Sequence, residues 1–335
     1  MSYFYYLLVL FLLIALAWVF VTACVLKRRE IPWREVLFLL VNLFAAHLFV
    51  EHRFYFMDFD FDEKYQALME LRYSTPFQFR LLVPLLMRGV YSLTDGWLSL
   101  RELAKIFDLV AVVLAIIGFR RYLSAWVEGH TAGVLALLLY LVLPFHYGIA
   151  SFVILFPYDL PAFAFMVWGL VFLREGNWKA YYPLFVAACL NRETAFLLPL
   201  GQTALCFNRD AFRRWAPHLA VQGAIWFSWW LSANYLFSHL AGGPFLIQVS
   251  RNWGELGSYG TLSILASSFG YLWVPLLVFW KNVPVVLRRQ LIVVPVFAGA
   301  MFVVGVIDEP RIWGELIPYV AAAGFLSFPS GVRHQ

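Results

Sequence analysis

Apolar runs alternate with short polar clusters along the whole chain, and only one polar stretch is long. Runs at 3–26, 36–50, 103–119, 131–147, 160–173, 217–240, 262–280, 291–307 and 312–328 read as helices crossing a membrane. Helices are the element to expect there, because in lipid they satisfy their own backbone hydrogen bonds. The run 81–93 is shorter, contains Pro84 and carries Arg88, so it is expected to lie in the outer interface. The run 181–207 is long enough to cross once, but Asn191, Arg192 and Glu193 fall at its middle. Two short helices meeting at those residues put the charges in a cavity, where broken helices are tolerated. The expected fold is therefore all-α, a polytopic transmembrane bundle with about nine to eleven membrane segments.

Charge placement gives the bundle an orientation. Lys27, Arg28, Arg29, Arg34, Arg120, Arg121, Arg174, Lys179, Arg213, Arg214, Lys281, Arg288, Arg289 and Arg333 fall on one side. The positive-inside rule makes that side cytoplasmic. The start of the chain lacks a basic leader and a small-residue cleavage site, so 3–25 is expected to be a retained span. The segments 51–102 and 241–259 then become the first and second extracytoplasmic loops, the first with interfacial helices. Asp58, Asp60, Asp62, Glu63, Asp159, Glu193, Asp308 and Glu309 fall outside, and Arg101 and Lys105 are exceptions near the outer interface. Arg80, Arg192, Arg251 and Arg311 are also placed outside, each near an acid, which suggests anion binding.

Composition agrees with this pattern and removes other classes. Of 335 residues, 62% are hydrophobic and 13% charged, more apolar surface than a soluble domain of this size can hide. The net charge of +5 comes from short clusters between apolar runs, so nucleic acid is not an expected partner. Cys24, Cys189 and Cys206 lie in apolar runs and form neither a disulfide framework nor a metal spacing. The histidines share no spacing, so no metal site is assigned and no cofactor is expected; a divalent cation is an alternative only as the occupant of the acidic stretch 51–80, read as a solvated loop. No linker or long repeat divides residues 1–335, which read as one integral membrane domain.

The long polar stretch, 51–80, is where chemistry is expected. Asp58, Asp60, Asp62 and Glu63 stand within six positions, among Phe56, Phe59, Phe61 and Tyr65. Mutual repulsion and desolvation by the aromatics both favour a carboxylate that accepts protons near neutral pH. The arginines can grip a phosphate with bidentate hydrogen bonds, and a carboxylate can take a proton from a hydroxyl. Together they suit transfer of a sugar from a lipid-linked phosphate to a hydroxyl. Each residue also has a plainer role. Asp62 suits a helix N-terminus, Arg80 can snorkel, Arg192 and Glu193 can lock to each other, and Asp308, Glu309 and Arg311 can form a turn. Asp159, between Pro157 and Pro161, reads as turn chemistry.

Asp62-Glu63-Lys64-Tyr65-Gln66 with Glu70 resembles the Asp-Glu-x-x-Gln-x-x-x-Glu portion of the first luminal loop of dolichyl-phosphate-mannose-dependent mannosyltransferases, of the GT-C superfamily. Asp60-Phe61 stands where that family often has His-Pro. Three further segments are similar to bacterial membrane proteins of GT-C type: the run from Pro76 to Pro84, Asn191-Arg192-Glu193-Thr194, and Arg311 with Glu315-Leu316-Ile317-Pro318. The resemblance implies a polyprenyl-phosphate sugar donor, inversion at the sugar, and an acidic catalytic base in the first outer loop. Asp62 is the first choice for the base, followed by Asp60 and Asp58, with Glu63 completing the acidic pair. Arg80, Arg192, Glu193, Asp308, Glu309 and Arg311 become the donor-binding set. The acceptor is expected on a glycan, lipid or protein, and the site on the extracytoplasmic face of a bacterial inner membrane. Two other functions suit the same residues: a flippase or transporter of a lipid-linked glycan, and a polymerase or ligase using a lipid-diphosphate donor. A transporter more often shows two matching halves, and none is visible.

Overall fold

The computed structural model describes residues 33–55, 61–148, 156–204, 209–242 and 247–328. The expected span 3–26, together with Asp58 and Asp60, lies outside the described residues. The rest is helical, with no strand among the described residues. α1 is Trp33–Tyr55 and α2 is Phe61–Met69. α3 (Leu82–Leu93) leads to α4 (Leu100–Leu123), and α5 (Gly129–Leu137) runs into α6 (Leu139–Tyr147). α7 (Asp159–Glu175), α8 (Trp178–Asn191), α9 (Leu197–Thr203) and α10 (Arg209–Leu236) follow. The C-terminal part holds α11 (Val249–Glu255), α12 (Tyr259–Ser267), α13 (Trp273–Val278), α14 (Val285–Gln290), α15 (Val293–Val304) and α16 (Ile317–Phe325).

Three of these stretches are long and apolar enough to cross a membrane: α1, α5 with α6, and α14 with α15. At 1.5 Å per residue the 23 residues of α1 reach about 34 Å, somewhat more than a hydrocarbon core. Leu37, Phe44 and Leu48 stand exposed along it, as do Val134 and Leu141 along α5 and α6, which suits a lipid-facing surface.

Local chemistry sets the helix ends. Ser99 and Glu102 form a capping box at the start of α4, and Arg120 and Arg121 meet the negative end of its dipole. Gly176 takes a left-handed conformation that stops α7, and Asn177 accepts from the Ala180 amide to start α8. α4 packs along α7, α7 along α8, and α1 against α4. α16 is buried along its whole length and helps form the core with α7 and α13.

Several boundaries differ from the hydropathy pattern: α10 starts at Arg209, and the expected span 312–328 is a 3-10 helix through Leu316 before α16. α1 continues to Tyr55, so residues 51–55 belong to a helix, not a loop, and Glu51 bonds Lys105 at 2.8 Å. The run 262–280 is not one helix. It breaks at Ser268–Tyr271, where Phe269, Gly270 and Tyr271 all have positive φ. His146 on α6 accepts from the Phe269 amide at the break, at 3.0 Å, beside local bonds from Ser268 to Ile264 and from Trp273 to Ala266. Periodicity within 262–280 carries no trace of that distant partner. The run 181–207 also contains a break, and there the polar residues mark it. Arg192 is extended between α8 and a 3-10 turn at Glu193–Phe196. The two expected outer loops meet where Thr75 donates its amide to Ala241 at 2.9 Å. Gly242 has φ +106° there, and a Cβ would lie 2.4 Å from the Thr75 carbonyl oxygen, so only glycine fits.

Candidate functional site

Three short connections bring charged residues from distant parts of the chain together. Leu81 donates its amide to Leu190 at 2.8 Å, which lays the segment after the 3-10 turn Phe77–Phe79 beside the end of α8. Asn191 donates its side-chain amide to the Tyr158 carbonyl at 3.0 Å, joining the end of α8 to the start of α7. His146 donates from Nδ1 to the Pro310 carbonyl at 3.0 Å, which anchors the 3-10 segment Pro310–Leu316.

The product is a buried network of arginines and acids centred on Asp159. That residue opens α7 and is fully buried. Its Oδ1 accepts from Arg192 Nη1 at 3.1 Å and lies 3.6 Å from Arg311 Nη1. Its Oδ2 lies 3.7 Å from Arg53 Nη2. Arg53 also pairs with Asp108 from α4. Arg192 Nε stands 2.9 Å from Glu315, and Arg311 pairs with Glu309. Arg80 grips Glu193 with two bonds, Nε to Oε2 at 3.1 Å and Nη2 to Oε1 at 2.6 Å. Such bidentate pairs are the strong form of the arginine–carboxylate contact.

Aromatic rings separate and orient the guanidinium groups. Phe77, Phe156 and Tyr158 form a stack with centroids 5.0 Å apart at each step. Arg80 lies 4.7 Å from the centroid of Tyr158, and Arg311 lies 4.4 Å from that of Phe156. The rings attract the cations while keeping water away from them.

The outer members of the network line a cavity of about 530 Å³. Arg80, Arg192, Arg311, Glu193 and Glu309 supply its charge. The rest of its lining is largely apolar, with Phe196, Trp226 and Trp230 beside the charged turn and Met301, Val303 and Val304 from α15. Trp226 donates its indole N–H to the Glu193 carbonyl at 2.6 Å, so the turn after Arg192 is held against α10. A cavity of this size, lined by both arginines and apolar side chains, fits an amphipathic molecule that carries an anionic group.

Of the residues expected to act, the structure brings Arg80, Arg192, Glu193, Glu309 and Arg311 to this cavity. Asp308 is half-buried and faces Arg251 at 3.5 Å. Asp62 and Glu63 occupy the first turn of α2, both exposed, and neither lines the cavity. Further along, Glu70 accepts from Arg72 at 2.5 Å and from Gln66 at 3.0 Å. Those two hydrogen bonds, Arg72's first, hold the Glu70 carboxyl below its usual range. Asp159 does more than shape a turn, since three arginines converge on it. Arg53, Asp108 and Glu315 complete the network and were not singled out as site residues by sequence. Asp108 gave a signal, a lone acid inside an apolar run. Among the described residues no group of three or more His, Cys, Asp or Glu is placed to hold a metal ion. No family, curated relative or solved structure matches the chain.

Proposed function

We propose that this chain is a multi-pass membrane glycosyltransferase of GT-C type. It moves a sugar from a polyprenyl-phosphate donor to a hydroxyl of a glycan, lipid or protein, with inversion. Its site faces the extracytoplasmic side of a bacterial inner membrane. The observation that carries the proposal is a cavity lined by both arginines and apolar side chains. The arginines suit the phosphate, which gains negative charge as the sugar leaves. The aromatic and aliphatic side chains suit the first isoprene units. The proton acceptor is proposed in the acidic stretch, with Asp62 first and Asp60, Asp58 and Glu63 after it. The exposed first turn of α2 leaves Asp62 open to an acceptor arriving from water.

Donor dependence is the direct test. Purified protein given polyprenyl-phosphate sugars should release polyprenyl phosphate only when an acceptor is present. Movement of the intact lipid-linked sugar between leaflets, with no release, would replace the transferase with a transporter. Sidedness has its own check, because Ser74 and Ser124 are both exposed. Cysteine at position 74 should react with an impermeant thiol reagent added from outside, and cysteine at position 124 should not. The reverse labelling would overturn the orientation and move the site to the other face.

A further inference from the structure

The cavity wall presents a difficulty for an anion-binding site, because its arginines are already paired. Arg80 and Glu193 show how the difficulty is resolved. The carboxylate presents two oxygens to two nitrogens of one guanidinium, the geometry in which a phosphate is also held. The two partners are not equally enclosed: the Glu193 side chain is 31% exposed and that of Arg80 is 8%. Arg80 Nη1 is buried and makes no hydrogen bond, so Glu193 does not use the whole guanidinium. The main chain at Glu193 is fixed independently, through Trp226 and the Arg192 amide bonded to Ala188. The carboxylate can therefore swing into the cavity while the backbone stays in place.

We propose that the Glu193 carboxylate is a built-in stand-in for the phosphate group, displaced from Arg80 when a lipid-linked phosphate enters the cavity. This rests on the donor reading given above. The exchange solves an electrostatic problem. A buried guanidinium without a partner is strongly destabilising, so an empty cavity needs an internal anion. When the phosphate arrives, one anion replaces another and Arg80 stays paired throughout. The cost is affinity. Displacing a carboxylate that competes by about 1.4 kcal/mol lowers apparent affinity about tenfold.

The test uses the purified full chain and farnesyl phosphate as the probe, with farnesol and inorganic phosphate as separate arms. Glu193→Gln should bind farnesyl phosphate about tenfold more tightly than the wild type. Glu193→Asp keeps the charge but shortens the reach, and it should shift affinity the same way by less. It serves as the second variant if the Gln form does not fold. Arg80→Gln should lose the advantage of farnesyl phosphate over farnesol. Equal or weaker farnesyl phosphate binding in folded Gln and Asp variants would make Glu193 a structural lock and overturn the stand-in alone. Tightening seen only with inorganic phosphate would keep the stand-in and remove the lipid-linked donor. Absence of phosphate binding in the wild type and in both variants would remove both.

Discussion

Arg72 with Glu70 and Arg80 with Glu193 are the same chemical pair in two settings. The first pair stands in the open, its side chains 58% and 42% exposed. The second is closed in by Phe77, Tyr158 and Trp226, with Arg80 almost fully enclosed. The closest contacts are nearly equal, 2.5 and 2.6 Å. Contact distance therefore does not tell them apart; what replaces a lost partner does. Around Arg72 water takes over at once, and exposed pairs contribute little. Around Arg80 and the Asp159 network nothing does, and a buried charge left alone is costly. A high density of charge in the sequence marked the exposed region of α2. The arginine network, assembled from remote parts of the chain, is where burial makes each charge matter.

The largest effect is expected at Asp159. Asp159→Ala removes the shared partner of Arg53, Arg192 and Arg311, and should cost about 3–5 kcal/mol of stability. Thermal melting of purified protein reads this, and a wild-type midpoint would show that the network is dispensable for the fold. Asp159→Asn keeps an acceptor oxygen and should lose less.

Asp62→Asn comes next and separates chemistry from stability. If Asp62 is the base, turnover should fall by about 100- to 10,000-fold while melting and donor affinity stay the same. Near-normal turnover would take Asp62 out of the mechanism and shift attention to Asp60 and Asp58. Between the charged extremes lies a buried neutral contact. His146→Ala leaves the Phe269 amide and the Pro310 carbonyl without their partner, and should cost about 1–3 kcal/mol. His146→Gln, which can both donate and accept, should recover part of that loss. No recovery would assign the effect to packing.

The smallest effect belongs to the exposed pair. Arg72→Ala should leave the melting midpoint unchanged, while the Glu70 carboxyl titrates closer to its ordinary value once the Arg72 hydrogen bond is gone. The sign is fixed. A depressed folded pKa adds stability above the unfolded value and loses it as pH falls, so any contribution disappears in acid. A clear drop in melting temperature at neutral pH would break the contrast between the two pairs.

The parts of the fold visible in the sequence are those with local causes. α1, α3 and the α5–α6 stretch follow from apolar runs and from the charges that end them. The break after Asn191 was visible because three polar residues interrupt an apolar run. The break at Ser268–Tyr271 was only faintly marked, by Gly270, and its bond to His146 on another helix left no sign in the sequence. The arginines of the cavity were legible singly, as guanidinium groups next to acids, away from the basic clusters. Their convergence on Asp159 was not, because Arg53, Arg192 and Arg311 approach it from three separate segments. Asp159 between two prolines looks like a turn until those segments fold around it.

The left-handed run at Phe269–Tyr271 also bears on how the chain is made. On hydropathy alone, 262–280 would enter the bilayer as one uninterrupted span. Its finished form is instead bent and tied to an acceptor nitrogen located 123 residues earlier in the chain. Synthesis delivers α6 first, so that partner is already present when this segment emerges.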